Sequence, residues 1–221
     1  MKKNIFFVFI VITFLSIINS YSQNTGKISI HAGTAIPVYE FASDNIKDTE
    51  AGGAAIGINA GIKWVYPVSN NGVGFFWGID FNYNKLQKSV KNALETELKQ
   101  KGITNYSITY PEYLILPVSA GFNYTYFIND NVDFFLNIGL TATFLKVTKS
   151  KVKYDGDKYS TKFDITNKVG GIGGFGFIYN NKYMISANYM GLGDFHIEID
   201  DGGVIGDQKI KIISVSVGYL F

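Results

Sequence analysis

Connections between the strand-like stretches of this chain alternate, long then short, from one end to the other. Ser69-Asn70-Asn71-Gly72, Asn129-Asp130-Asn131 and Asn180-Asn181 have the chemistry of tight hairpin turns. Between them stand long polar connections at about 37–53, 85–111, 146–168 and 192–208. A soluble sandwich has no reason to sort its loops by length. An up-and-down membrane barrel does, because its short turns gather at one rim and its long loops at the other.

The stretches themselves alternate with the period of a strand. They run over about 27–36, 54–66, 74–84, 112–127, 132–145, 169–179, 182–191 and 213–221. In the second, Ile56, Ile58, Ala60, Ile62 and Trp64 share a face, and in the third, Phe75, Trp77, Ile79, Phe81 and Tyr83. The closing stretch turns Ile213, Val215, Val217, Tyr219 and Phe221 outward, with Ser214, Ser216 and Gly218 left for a crowded lumen. A tilted strand of about 9–11 residues crosses an outer membrane. The predicted fold is all-β: an eight-stranded antiparallel up-and-down transmembrane β-barrel with short periplasmic turns and long outer loops. Aromatics agree with it. Trp64, Tyr66, Phe75, Trp77, Tyr124, Tyr126, Phe134, Phe177, Tyr179, Tyr183, Tyr219 and Phe221 all lie beside the short turns or the C-terminus. Such a ring suits one membrane boundary.

The start of the chain points the same way. Lys2-Lys3 precedes an apolar run over 5–18, and Ser20-Tyr21-Ser22 supplies small residues for cleavage after Ser22. This is the anatomy of a secretory signal, and the run is shorter than the roughly 20 residues of a spanning helix. The expected division is a signal peptide at 1–22 and a barrel domain at 23–221, exported to the cell outer membrane. Without Lys2 and Lys3 the 20 basic residues fall to the number of the 18 acids, so the exported chain is formally neutral. It contains no Arg, which leaves no electrostatic case for nucleic acid. It contains no Cys either, which excludes disulfides, thiolate metal sites and a lipid-anchored cysteine.

The period places Lys27, His31, Asn59, Lys63, Asp80, Asn82, Asn84, Ser119, Asn123, Thr125, Asp133 and Asn137 in the lumen. Eight strands enclose a space that side chains fill, and buried charges there must pair. Lys27, Lys63 and Asp133 are expected to form an ion-pair plug near the periplasmic end. Two stretches strain the pattern. Gly170, Gly171, Gly173, Gly174 and Gly176 crowd the sixth strand, which suits a wall lying against bulky lumen groups. Lys209 and Lys211 share parity with Ile213, so either they stand above the bilayer or a bulge near Ile212 resets the register. Within the second long loop, Val90, Leu94 and Leu98 recur at helical spacing and Gly102 is placed to stop the turn. A short helix packed on neighbouring loops is predicted there.

Catalytic chemistry is thinly represented. His31 faces the lumen and His196 lies in the last loop beside Glu198, with neither in a triad or dyad spacing. Asp194, His196, Glu198, Asp200 and Asp201 could offer oxygen ligands to a cation, but a solvated acidic loop explains them more simply. Asp155-Gly156-Asp157 lacks the completing Glu of a calcium loop and reads as a turn. The glycine pairs of strand six precede neither Lys-Ser/Thr nor a helix, so they form no phosphate loop. No catalytic, cofactor-binding or metal residue is assigned, and no cofactor is expected.

Tyr113-Leu114-Ile115-Leu116-Pro117-Val118 resembles the Tyr-Leu-x-(Ile/Leu)-Pro element of the porin-like outer-membrane β-barrel family of Bacteroidetes. Phe134, Leu136, Ile138 and Gly139 are similar to that family's following strand, and Val217-Gly218-Tyr219-Leu220-Phe221 to its ending. Ile115 stands where the family often has Glu, and Leu116 where it often has Ile. The resemblance implies a non-enzymatic outer-membrane barrel acting structurally or through its extracellular loops. One branch resembles the barrel of the type IX secretion machinery, which implies an accessory or assembly barrel with protein partners as the alternative. An outer-membrane enzyme or a small-solute channel comes third. The partners implied are outer-membrane lipid, the barrel assembly machinery through the strand ending in Phe221, and a protein partner at the outer loops.

Overall fold

A computed structural model describes residues 26–48, 50–154, 157–161, 163, 165–198 and 204–221. The expected signal segment, 1–22, lies outside the described residues. The strands are β1 (Lys27–Pro37), β2 (Gly57–Pro67), β3 (Val73–Lys85), β4 (Tyr106–Thr109), β5 (Glu112–Asn129), β6 (Val132–Val147), β7 (Ser150–Tyr154), β8 (Asp157–Thr161), β9 (Thr166–Tyr179), β10 (Tyr183–Glu198) and β11 (Val204–Leu220). Eight of them close one antiparallel barrel in the order β1-β11-β10-β9-β6-β5-β3-β2, with β2 returning to β1. The eight predicted strands are these eight.

Side-chain alternation sorts the wall. Ile138 and Val217 are 69% and 64% exposed, while Asn137, Ser214 and Ser216 next to them are buried. Apolar residues outside and polar residues inside reverse the order of a soluble protein and suit a wall solvated by lipid. Closure runs from Ser29↔Leu220 to Pro37↔Ile212, and the Phe221 N–H donates to the Ile28 carbonyl at 2.8 Å. Aromatic contacts cluster where expected, beside the short turns. Trp64 meets Trp77 edge-on with centroids 5.9 Å apart, Phe134 meets Phe177 at 5.3 Å, and Tyr219 lies between Tyr183 and Phe221 at 5.7 and 5.0 Å. Asn180 and Asn181 both hold positive φ, 51° and 55°, the two-residue hairpin geometry that Asn tolerates.

The long-loop end departs from expectation in two ways. First, most of 192–208 is strand. β10 and β11 continue as one ladder to Glu198↔Val204. Of the two readings offered for Lys209 and Lys211, the one without a bulge near Ile212 holds: the nearby register shift lies in β10, between Gly191 and Gly193, and the irregularity of β11 falls farther out, between Gly206 and Val204. Lys209 and Lys211 therefore keep the parity of Ile213, and Ile210 and Ile212 point inward and are fully buried. Both lysines find acids of the first loop: Lys209 Nζ lies 2.8 Å from Glu50, and Lys211 Nζ 3.2 Å from Glu40. The second departure is a small separate sheet of β4, β7 and β8. Strands of four or five residues are too short to show a period. The predicted helix is present as α1 (Lys88–Gln100). Gly102, at φ 81°, ends it: its N–H donates to the Lys99 carbonyl, and the Ile103 N–H to that of Leu98.

The glycines of β9 have a steric cause. A Cβ on Gly176 would press on the Ile185 carbonyl and lie 2.6 Å from the Phe135 ring. One on Gly174 would meet the Asn188 side chain. Phe135 and Asn188 are thus bulky lumen groups of the kind expected opposite this strand. Gly176→Ala should therefore destabilise the barrel by about 1–3 kcal/mol, the cost of overpacking a filled interior. Urea unfolding of the folded protein in lipid vesicles checks this, and an unchanged midpoint would contradict the close approach.

Candidate functional site

The lumen is filled in layers. Toward the long-loop end, Tyr113, Ile115, Leu145, Val147, Met190, Phe195, Ile210 and Ile212 form an apolar core. Phe41, on the 3-10 turn Tyr39–Ala42, packs into it from above, edge-on to Tyr113 with centroids 5.0 Å apart. The sequence places polar residues along the interior, and this apolar layer is the departure from it. Its members come from the inward parity of β5, β6, β10 and β11 together, Ile210 and Ile212 among them.

Below it lies a polar belt. The His31 Nε2–H donates to Asp80 Oδ1 at 2.8 Å, because a carboxylate can only accept. Asn59 Nδ2 donates to the same oxygen at 3.2 Å and to Asn82 Oδ1 at 2.9 Å, and Ser216 Oγ donates to Asn59 Oδ1 at 2.9 Å. Asn84 Nδ2 holds the Ala35 and Ala55 carbonyls. His31, Asn59, Lys63, Asp80, Asn82, Asn84, Ser119, Asn123, Asp133 and Asn137 are all buried, as expected. Thr125 is half-buried, and Lys27 is exposed at the rim, where its Nζ donates to Asn181 Oδ1.

The expected ion-pair plug is not formed. Lys63 makes no salt bridge among the described residues. Its ammonium instead sits 5.4 Å from the Phe76 ring centroid and 5.9 Å from that of Phe135. Both rings offer a negative face to the cation. Asp133 and Lys63 line one cavity of about 290 Å³ at the short-turn end. The carboxylate that is tied down is Asp80, by His31. Spacing in the sequence could not show this pair, because 49 residues separate the partners. His31 Nδ1 has no protein partner, and no side-chain hydroxyl bonds the ring among the described residues. His196 lies on β10 opposite Asp207 and not in a loop, and Asp194 lies opposite Lys209. The side chains of His196 and Glu198, and residues 200–201, lie outside what is described.

At the long-loop end the connections fold into a cap. Gln87 Nε2 ties the start of α1 to the Ala42 and Ala54 carbonyls at 2.6 and 3.0 Å. Tyr110 donates to Glu95 at 2.7 Å, and Lys91 lies 5.2 Å from the Tyr110 ring centroid. Burial and then the Glu95 carboxylate push the Tyr110 phenol well above its ordinary value. Between α1, the first loop and the small sheet lies a cleft of about 680 Å³.

The family model of the outer membrane protein beta-barrel domain matches residues 7–221. The chain belongs to this family. It is accordingly a protein of the outer membrane, with lipid around its wall. Among solved structures, a major outer membrane protein from Thermus thermophilus matches at a TM-score of 0.51 and 12% identity, over 89% of this chain and 100% of that one. Neisserial surface protein A matches at 0.47 and 14%, over 88% and 95%, and the attachment invasion locus protein Ail of Yersinia pestis at 0.42 and 22%, over 89% and 99%. The Thermus likeness supports the barrel fold and nothing finer. No curated protein matches the chain in sequence.

Two expectations concern the interior and its cap. Asp80→Ala removes the acceptor shared by His31 and Asn59 in a buried site, and should cost about 1–3 kcal/mol for each donor left unsatisfied. Lys63→Met should cost less, since no carboxylate is bonded to Lys63. Urea unfolding of the two variants in vesicles orders them, and an equal or larger loss for Lys63→Met would overturn the assignment. For the cap, Glu40 is held below its ordinary value of 4.5 by its own backbone amide and then by Lys211. A depressed carboxylate contributes stability that is complete above the unfolded value and is lost as pH falls through the folded one. The Gly52 N–H, bonded to the Glu40 carbonyl at 2.9 Å, reports on this turn. Its hydrogen exchange, corrected for intrinsic rate, should accelerate below the ordinary carboxylate range in the wild type, and Lys211→Met should shift that onset upward.

Proposed function

We propose that the protein is a non-enzymatic outer-membrane barrel that acts structurally or through its extracellular loops. The observation that carries this reading is the contrast between its two halves. Within the membrane the lumen is filled by the apolar layer and the His31–Asp80 belt. Beyond it the loops build an ordered cap from α1, the first loop and a three-stranded sheet. A filled lumen favours work at the surface over passage of solute, and ranks the channel below the loop-based role. Export through a signal peptide at 1–22, assembly through the strand ending in Phe221 and placement in the Bacteroidetes branch are parts of the same proposal.

An accessory barrel of a type IX-like secretion system is the second reading; it rests on the family resemblance, one branch of which resembles the barrel of that machinery. It puts a protein partner at the outer loops, and co-purification with secretion components from the native outer membrane would select it.

Reconstituted in planar bilayers, the wild type should show no steady conductance. A variant with residues 88–109 replaced by a short Gly-Ser linker should stay closed, because the apolar layer remains. A stable open channel in the wild type would remove the proposal in favour of a pore.

A further inference from the structure

The cleft over the outer mouth has walls that its own fold leaves unfilled. Of the apolar stripe on α1, Val90 is buried, but Leu94 and Leu98 are only half-buried and face the cleft. Ile108 of β4 and Val152 of β7 stand on the sheet side. Its floor includes Tyr113 and Val147, the top of the apolar lumen layer. A molecule entering from outside therefore stops there, so this is a place of binding and not of transit. A volume of about 680 Å³ lies within the range of small-molecule sites.

The polar groups on the walls are largely spent on the protein itself. The Tyr113 hydroxyl donates to the Gly52 carbonyl at 2.6 Å, Tyr110 to Glu95, and Gln208 Nε2 to the Glu50 carbonyl at 2.7 Å. Glu97 is matched by Lys101 at 2.7 Å. Two wall charges remain without an ion-pair partner among the described residues, and both are negative. The Asp44 side chain has no bonded partner among those residues, and the Asp48 carboxylate accepts there only the Glu50 N–H. Lys47 belongs to the same loop but does not line the cleft. Apolar walls with an acidic lip complement an apolar body that carries a positive charge.

We propose that this cleft binds hydrophobic amines, organic cations whose apolar part lies along Leu94 and Leu98 and whose ammonium meets Asp44 and Asp48. The proposal rests on the loop-based reading above and names the ligand class of that surface. It needs no covalent step and no cofactor.

The test uses the full chain in phosphatidylcholine nanodiscs, with empty nanodiscs as the blank, and three probes that share one ring system: 1-naphthylmethylammonium, naphthalene-1-methanol and 1-naphthoate. Saturable binding of one ammonium probe per chain is expected, with the alcohol weaker and the carboxylate weakest. Leu94→Trp, which fills the cleft, should abolish it. Asp44→Asn combined with Asp48→Asn keeps the turn geometry and should weaken the ammonium about two- to fivefold, the scale of exposed charge pairs, while leaving the alcohol unchanged. Binding no greater than in empty nanodiscs would overturn the proposal. So would binding indifferent to Leu94→Trp, or a carboxylate that binds as tightly as the ammonium. Conductance decides the loop-based reading separately, so a closed barrel that binds none of the probes sinks only this inference.

Discussion

Closure of β1 onto β11 is the constraint on which the rest of the molecule depends. In hydrocarbon a backbone N–H or C=O without a partner costs several kcal/mol, so a sheet in a membrane can have no free edge. Once the ladder from Ser29↔Leu220 to Pro37↔Ile212 is made, every residue of the wall is either inside or outside. A slip of one residue would exchange the two sets and put Ser214 and Ser216 into lipid. The bulge at Gly191/Gly193 shows how the fold accommodates an extra residue without such a slip. Leu192 is added in β10 and fully buried, while β11 keeps its parity.

The same closure makes the interior expensive for charge. Eight strands leave room for side chains and little else. Asp80 and Lys63, both buried, are met differently. Asp80 is held by two donors, one of them an imidazole, whereas Lys63 lies between the faces of two phenylalanines. The second arrangement turns negative ring density toward the ammonium. Phe135 in turn lies, with the Ile185 carbonyl, where a Cβ on Gly176 would stand. Charge, ring and glycine form one chain of dependence across three strands.

Much of the barrel is legible in the sequence because period and loop length are local signals. The alternation of 213–221 and the paired asparagines at 180–181 each fix an element without knowledge of its neighbours. What escapes is what depends on distant partners. The His31–Asp80 contact joins β1 to β3, and no spacing rule covers it. A Lys63–Asp133 pairing has shared depth alone to support it, and depth does not say which way a lysine turns. The second long loop discloses its helix through Val90, Leu94 and Leu98. The three-stranded sheet stays hidden, because β4 is stable only against β7, which comes from a different loop.

The cap shows why the two ends of the molecule follow different rules. Near the short turns, only a few residues join β5 to β6 and β9 to β10, and the backbone has little freedom to vary. At the other end the chain leaves the bilayer and regains water as solvent, so ordinary soluble packing applies. There α1 is amphipathic in the usual sense, and lysines pair with acids across loops, as Lys211 does with Glu40 and Lys209 with Glu50. Such surface pairs contribute little individually. Their joint effect is to hold the 3-10 turn so that Phe41 stays seated in the lumen. The residue that closes the barrel from above is thus supplied by a loop. A wall that seals itself with its own loop leaves the outer surface of that loop, and the cleft beside it, open to solvent.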